Sequence, residues 1–218
     1  MPPDRPAPPP VIGFDLDMTL IDPRRSVRGA LDALAGETGV DVDADEILAT
    51  LGPPLEVALS PWFGPDDLAA ACARFRAIHA TLLHLTEAMP GAATAVRTVH
   101  GRGGRVVVVT AKFEPHARTS LQVVGMAADV VVGQRFGAAK GGALADNGAL
   151  AYVGDHPADV DAARAAGIVA VGVSTGPASA DELRAAGAEV VLRDLGGFGE
   201  WFEAWDDDRR AAGTRSPT

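Results

Sequence analysis

The chain has 218 residues and a mass of 22.3 kDa, with 47% hydrophobic and 22% charged residues. That near-average composition excludes a mainly disordered chain, and no apolar run approaches the roughly 20 residues that span a bilayer. A net charge of −10 and a pI near 4.8 leave no basic face for nucleic acid.

In chain order, residues 1–10 are a Pro-rich tail without the apolar core of an export signal, which predicts a cytoplasmic protein. Val11 to Phe14 reads as a buried strand ending at Asp15. Residues 23–88 change character, with helical patterns and no good strand. Leu31, Leu34 and Ala35 share one face of a first helix; Ala44–Thr50 and Pro53–Leu59 suggest two more. The strongest pattern covers Asp66–Glu87, where Leu68, Cys72, Phe75, Ile78, Leu82 and Leu85 recur at three- and four-residue spacing, until Met89-Pro90-Gly91 ends it. Cys72 is the only cysteine, so no internal disulfide exists, as suits a reducing compartment.

Beyond Gly91 strands and helices alternate. Strands are predicted at Arg105–Thr110, Asp129–Val132, Leu150–Gly154, Val169–Val173 and Glu189–Leu192. Helices are predicted at Ala92–His100, Glu114–Val124, Ala158–Ala166 and Ser179–Ala186, with a last one over Phe198–Trp205 and a polar, fraying tail at 206–218. Near-continuous Val/Ala strands alternating with helices predict an α/β core, residues 11–22 and 89–205, around a parallel sheet covered on both faces, with the 23–88 helices inserted after its first strand. Such sheets bind ligands beyond the carboxyl ends of their strands.

At those ends lie Asp15-Leu16-Asp17-Met18-Thr19, then Thr110-Ala111-Lys112, then Lys140, then Gly154-Asp155-His156-Pro157-Ala158-Asp159. Asp15, Asp17 and Asp155 gathered on one rim are unstable without a cation, and all-oxygen ligands suit Mg²⁺. The basic residues are 17 Arg and only two Lys, and both lysines fall in these tracts, as if an ammonium were required there.

The order DxDxT, Thr after a hydrophobic strand, isolated Lys and GDxxxD resembles the haloacid dehalogenase superfamily over about residues 11–200. The helices after the first motif resemble that superfamily's type 1 cap. Leu51-Gly52-Pro53-Pro54-Leu55, and the tract from Gly172 through Thr175-Gly176 and Glu182-Leu183 to Ala186-Gly187-Ala188, resemble its phosphoglycolate phosphatase-like branch. The resemblance implies a Rossmann-like sheet and a phosphatase that works through an aspartyl phosphate. Asp15 would be the nucleophile and Asp17 the acid and then the base. Thr110 and Lys140 would hold the phosphoryl group. Mg²⁺ would sit on Asp15, the Asp17 carbonyl and Asp155, with Asp159 behind them. Ala111, Lys112 and Gly52 would line the substrate, a small phosphate ester such as phosphoglycolate or a nucleoside monophosphate. Monomer and homodimer stay open.

Two departures stand out. Met18 occupies a position that is often Gly in the family. Only 14 residues separate Lys140 from Asp155, so the helix between them is predicted to shrink to about Gly142–Asn147. Each residue also has a plain structural role available: Asp155 as a helix cap, Thr110 as a strand-end cap, a lysine as solvated surface. The joint order outweighs these. His156 is expected to line the rim structurally, His79 and His84 to be packed or exposed on their helix, and Arg76 to be an exposed arginine rather than a substrate contact; His100 and His116 carry no spacing signal, and Trp201 and Trp205 are expected to pack the last helix on the core. A sugar phosphomutase shares Asp15 and Asp17 and is the alternative enzyme. A non-catalytic phosphate-binding module is the alternative of another class, although it would have lost one of the four motifs. A 2-haloacid dehalogenase has no need of Asp17.

Overall fold

The computed structural model describes residues 8–213. Residues 1–7 and 214–218, predicted as tails, lie outside the described residues. Six parallel strands form the main sheet: β1 (Val11–Phe14), β4 (Arg105–Val109), β5 (Val130–Val132), β6 (Ala151–Gly154), β7 (Val169–Val173) and β8 (Val190–Leu192), in the order β5-β4-β1-β6-β7-β8. Every predicted strand is present, within a residue at its ends. β1 is central, with Phe14 opposite Val108 of β4 on one side and Val153 of β6 on the other. Asp15, Thr110 and Asp155 therefore leave three adjacent strands at the same edge.

The sheet is a two-faced core. Val106 and Val108 face one side, with Phe14, Phe198 and Phe202; Val107 and Val109 face the other, with Leu144, Tyr152 and Val160. This is the two-residue alternation of a strand buried on both faces. The first face is covered by α5 (Ala92–Gly101), α6 (Glu114–Val123) and α10 (Phe198–Gly213), the second by α7 (Ala139–Asp146) and α8 (Pro157–Ala166); α9 (Ala180–Ala186) packs at the β7/β8 edge. Gly13 has no room for a side chain, since a Cβ would lie 2.5 Å from Leu144 and 2.8 Å from the Tyr152 ring. That close approach lets Tyr152 lie across β1.

Between β1 and β4 stand α1 (Arg24–Thr38), α2 (Ala44–Ala49), α3 (Leu55–Leu59) and α4 (Pro65–Leu82), around their own core of Leu31, Leu34, Leu59, Cys72, Phe75 and Ile78. Asp43 caps α2 by accepting from the Glu46 N–H, α1 stops at Gly39 in the left-handed region, and α4 opens on Pro65 with Asp66 and Asp67 in its first turn.

Several expectations are corrected. The long helix does not reach Glu87: it ends at Leu82, passes through a 3-10 turn at Leu83–Leu85, and yields to β3 (Glu87–Ala88). β3 pairs antiparallel with β2 (Ile21–Asp22), so the region holds a strand after all, and the two chain crossings are tied together. Two-residue strands are too short to show a period. α3 starts at Leu55 rather than Pro53, because Pro54 is extended at the cap position and a residue before proline is held out of helix. α7 is longer than expected and starts at Ala139, carrying Lys140 in its first turn. Glycine disfavours helix in isolation, but Gly141 lets α7 close on α8, where a Cβ would stand 2.8 Å from Ala165. The last helix does not fray at 206: it continues to Gly213 around Asp206, which is fully buried and held by Arg209 and Arg210. Nor is Pro8–Pro10 free, since Pro10 is buried and its carbonyl accepts from the Arg105 N–H. Trp201 and Trp205 stack on each other and pack on the core as expected.

Candidate active site

Asp15 follows β1 directly, and its own N–H is anchored on the Val153 carbonyl. The chain then turns back sharply: the N–H groups of Thr19, Leu20 and Ile21 all reach the Leu16 carbonyl, and Met18 sits at φ 64°. That left-handed backbone is what glycine adopts without strain. Here Met18 takes it while its side chain is buried in the core and its carbonyl accepts from the Thr175 hydroxyl at 2.6 Å. The turn delivers Asp15 and Asp17 to the edge of the sheet and turns Thr19 inward, where its hydroxyl donates to Asp155 at 2.7 Å.

Lys140 reaches the same place from α7. Its Nζ donates to Asp15 (2.7 Å), Asp159 (2.7 Å) and the Tyr152 hydroxyl (2.9 Å), which uses all three of its protons. Tyr152 in turn donates to the Val109 carbonyl at 2.6 Å. The short segment between Lys140 and Asp155 therefore does not displace the lysine. Lys112 takes the other acid, with Nζ 3.0 and 3.2 Å from the Asp17 oxygens. Both lysines of the chain thus neutralise the acids of the first motif. Thr110 is buried at the end of β4, and its Oγ1 accepts from the Lys112 N–H.

Asp159, in the first turn of α8, also accepts from the His156 N–H. His156 caps the same helix, with Nδ1 accepting from the Ala158 N–H, so the structural expectation for it holds. Two glycines make room for carboxylates. A Cβ on Gly154 would lie 2.3 Å from an Asp159 oxygen, and one on Gly176 would lie 1.8 Å from Asp155 Oδ2.

Asp15, Asp155 and Asp159, all buried, offer carboxylate oxygens within 4.8 Å of one another. Burial raises the Asp15 pKa to about 7; Lys140 opposes the rise and Asp159 and Asp17 add to it. Burial also holds the Asp155 carboxyl well above its ordinary value, and Asp15 and Asp159 push the same way. The Lys140 pKa is raised despite burial, because Asp15 and Asp159 surround its ammonium. One ammonium among three buried acids leaves an excess of negative charge. A compact hard cation fits that excess and this all-oxygen donor set.

Above the acids lies a cavity of about 340 Å³ between the sheet edge and α1–α4. Asp15, Asp17, Thr110, Ala111, Lys112 and Gly52 all line it, whereas Lys140 and the metal-side acids sit beneath. Gly52 is in the loop before α3, where a Cβ would lie 3.2 Å from the His156 ring, so this loop does dip toward the rim.

Arg76 departs from its expected exposure. It lines the cavity, stands 5.4 Å over the Phe113 ring, pairs with Glu56, and its buried Nε has no hydrogen-bond partner among the described residues. His79 and His116 also line the cavity and are hydrogen-bonded directly to each other, Nδ1 to Nδ1, at 3.2 Å. Ser26 gives its proton to the Pro23 carbonyl, so its oxygen accepts from His79 Nε2 at 3.1 Å. His79 is then protonated on Nε2, and His116 donates to its Nδ1. Burial, with Lys112 and His116 nearby, lowers the His79 pKa to about 2, so this chain from α6 to the start of α1 is uncharged. His84 and His100 stay outside the site, against the Thr81 carbonyl and Asp129.

Sequence reasoning missed Tyr152 and the His79–His116 pair. The signal for Tyr152 was its being the only tyrosine in the chain. The histidines lie 37 residues apart, and no local spacing connects them.

Comparison with known proteins follows the same lines. A model of haloacid dehalogenase-like hydrolases matches residues 12–136, and a second model of HAD-like hydrolases matches residues 138–197. The chain is 30% identical to the phosphoglycolate phosphatase of Rhodospirillum rubrum over 222 aligned positions, covering 89% of this chain and 91% of that one. It is 29% identical to a Dickeya dadantii protein named "Probable phosphatase IndB", covering 84% and 89%. In fold it is similar to a haloacid dehalogenase-like family hydrolase from Streptococcus pneumoniae, with a TM-score of 0.78 at 21% identity, over 88% of this chain and 98% of that one.

Proposed function

The chain belongs to the haloacid dehalogenase-like hydrolase family, and on that premise we propose that it is a Mg²⁺-dependent phosphatase that hydrolyses a small phosphate monoester through an aspartyl phosphate on Asp15. The observation that carries the reading is Asp15 itself: a buried carboxylate at the centre of the rim that lines the cavity, with one oxygen held by Lys140 at 2.7 Å and its carboxylate beside those of Asp155 and Asp159.

Asp15, the Asp17 carbonyl and Asp155 would hold the ion, with Asp159 supporting them. When bound, Mg²⁺ supplies positive charge against the anionic nucleophile and the anionic phosphoryl group. The chain's own groups do the rest. Lys140 favours the ionised form of Asp15 against burial and fixes its orientation. The Asp15 oxygen bonds to phosphorus as the ester P–O bond breaks, and Asp17, which must first take up a proton and leave its ion pair with Lys112, gives that proton to the departing oxygen. Asp17 then takes a proton from water as that water attacks phosphorus, and the Asp15–phosphorus bond breaks to release inorganic phosphate. Thr110 donates its hydroxyl to a phosphoryl oxygen. Catalysis of this kind is mostly positioning and electrostatics, which a rim fixed by three strand ends supplies.

Helices α1–α4 act as the cap, closing over the site to exclude water, with hinges at Asp22-Pro23 and Ala88-Pro90. The cytoplasm is the proposed setting; among the described residues no helix is long and apolar enough to cross a membrane. The test is p-nitrophenyl phosphate turnover. Wild-type protein is expected to require Mg²⁺, and Asp15→Asn to lose essentially all turnover while keeping its thermal unfolding transition. Full activity in Asp15→Asn would discard the nucleophile. A requirement for a sugar bisphosphate activator would move the reading to a phosphomutase. Binding of phosphate esters without turnover of any would leave a binding module.

A further inference from the structure

The cavity is two-ended. Its floor holds Asp15, Asp17, Thr110 and Lys112. Its far wall is apolar, built by Val27 and Leu31 of α1, Leu51, Leu55, and Phe75 of α4, with Phe113 from the core side. At about 340 Å³ it falls in the range of pockets that enclose drug-sized ligands, roughly 300–1,000 Å³, and a two-carbon phosphate would leave most of the apolar wall wet. The charges away from the floor cancel: Arg76 is paired with Glu56, and the His79–His116 pair is neutral. A second anion on the substrate would face Glu56 with Arg76 already engaged. Arg76 is fixed over the Phe113 ring, and its Nε is shut off from solvent and so from the cavity, where it offers the substrate no donor.

We infer that the substrate is a phosphate monoester of an uncharged, ring-sized apolar alcohol. The inference rests on the phosphatase reading for the chemistry, but the pocket's preference is measurable without turnover. Three esters with aliphatic-type leaving groups test it: ethyl phosphate, 2-phosphoglycolate and benzyl phosphate. With Mg²⁺, kcat/KM for benzyl phosphate is expected to exceed those for ethyl phosphate and 2-phosphoglycolate by at least about tenfold, the effect of filling an apolar pocket. Calorimetry with benzylphosphonate and ethylphosphonate, which are not hydrolysed, reads the same preference as a Kd ratio.

If 2-phosphoglycolate matches or beats benzyl phosphate, the apolar-body inference is overturned while the phosphatase reading stands. If no ester turns over but benzylphosphonate binds preferentially, the phosphatase reading falls and the pocket's preference survives. Equal binding of the two phosphonates with no turnover overturns both.

Discussion

The sheet edge and the helical insert meet at one cavity but are built on different principles. At the edge, three of the functional groups stand at strand ends, Asp15 after β1, Thr110 after β4 and Asp155 after β6, in neighbouring strands whose register the ladder fixes. In the insert, the groups that face the cavity, Arg76 and His79, project from one side of α4, and the packing of that helix on α1 decides where they point. A rim held by hydrogen-bonded strands suits chemistry that tolerates little displacement. A wall held by side-chain packing can change its contours without disturbing that chemistry, which makes it the natural seat of selectivity.

Substitutions at the rim should therefore damage every substrate alike. The largest effect after loss of Asp15 is expected for Lys140→Met, which leaves Asp15 and Asp159 facing each other without their ammonium. A kcat loss of about 10²–10³-fold, equal across esters, is expected from the removal of one charge-stabilising donor; a loss that varied strongly with the ester would blur the division between rim and wall. Gly176→Ala comes next. The new methyl group would occupy the space of Asp155 Oδ2, 1.8 Å away, so the carboxylate must shift. Mg²⁺ affinity, followed by activity against metal concentration, should fall about 10–100-fold. Unchanged affinity would argue against Asp155 as a ligand.

The insert should show itself in pH dependence of stability. His79 has a folded pKa of about 2 against the ordinary 6.5. A depressed histidine contributes its stability fully above pH 6.5 and loses it as pH falls, because only the unfolded chain takes up the proton. Asp15, raised to about 7, has the opposite sign: its stability is fully present below pH 3.8 and falls as pH rises toward 7. Comparison with His79→Asn isolates the first effect. Between pH 7 and pH 5 the wild type should lose about 2 kcal/mol more than the variant, read from urea midpoints. Parallel curves would mean that His79 is wet or charged in the folded state.

The same contrast explains how much could be read in advance. The rim was legible because its acids interrupt runs of Val and Ile, and because two lysines stand out among 17 arginines. Strand ends and composition are local signals. Tyr152 was not legible, since an aromatic in a buried strand reads as core, and only the fold shows its hydroxyl joining Lys140 to the Val109 carbonyl. Nor was the Ser26–His79–His116 chain, whose members come from three helices. Helix α7 was underestimated because Gly141 and Gly142 disfavour helix alone, whereas Gly141 permits contact with α8. The end of α10 was misread as a tail, although Asp206 with Arg209 and Arg210 three and four residues on is a helical spacing.

The account's central claim is that Asp15 attacks phosphorus. A crystal structure of the protein soaked with Mg²⁺ and beryllofluoride tests it most directly. The account predicts a beryllium–oxygen bond to the Asp15 carboxylate, with Lys140 and Thr110 on the fluorines and the cation between Asp15 and Asp155. An adduct on Asp17 or Asp155, or a cation bound elsewhere with Asp15 unmodified, would contradict it.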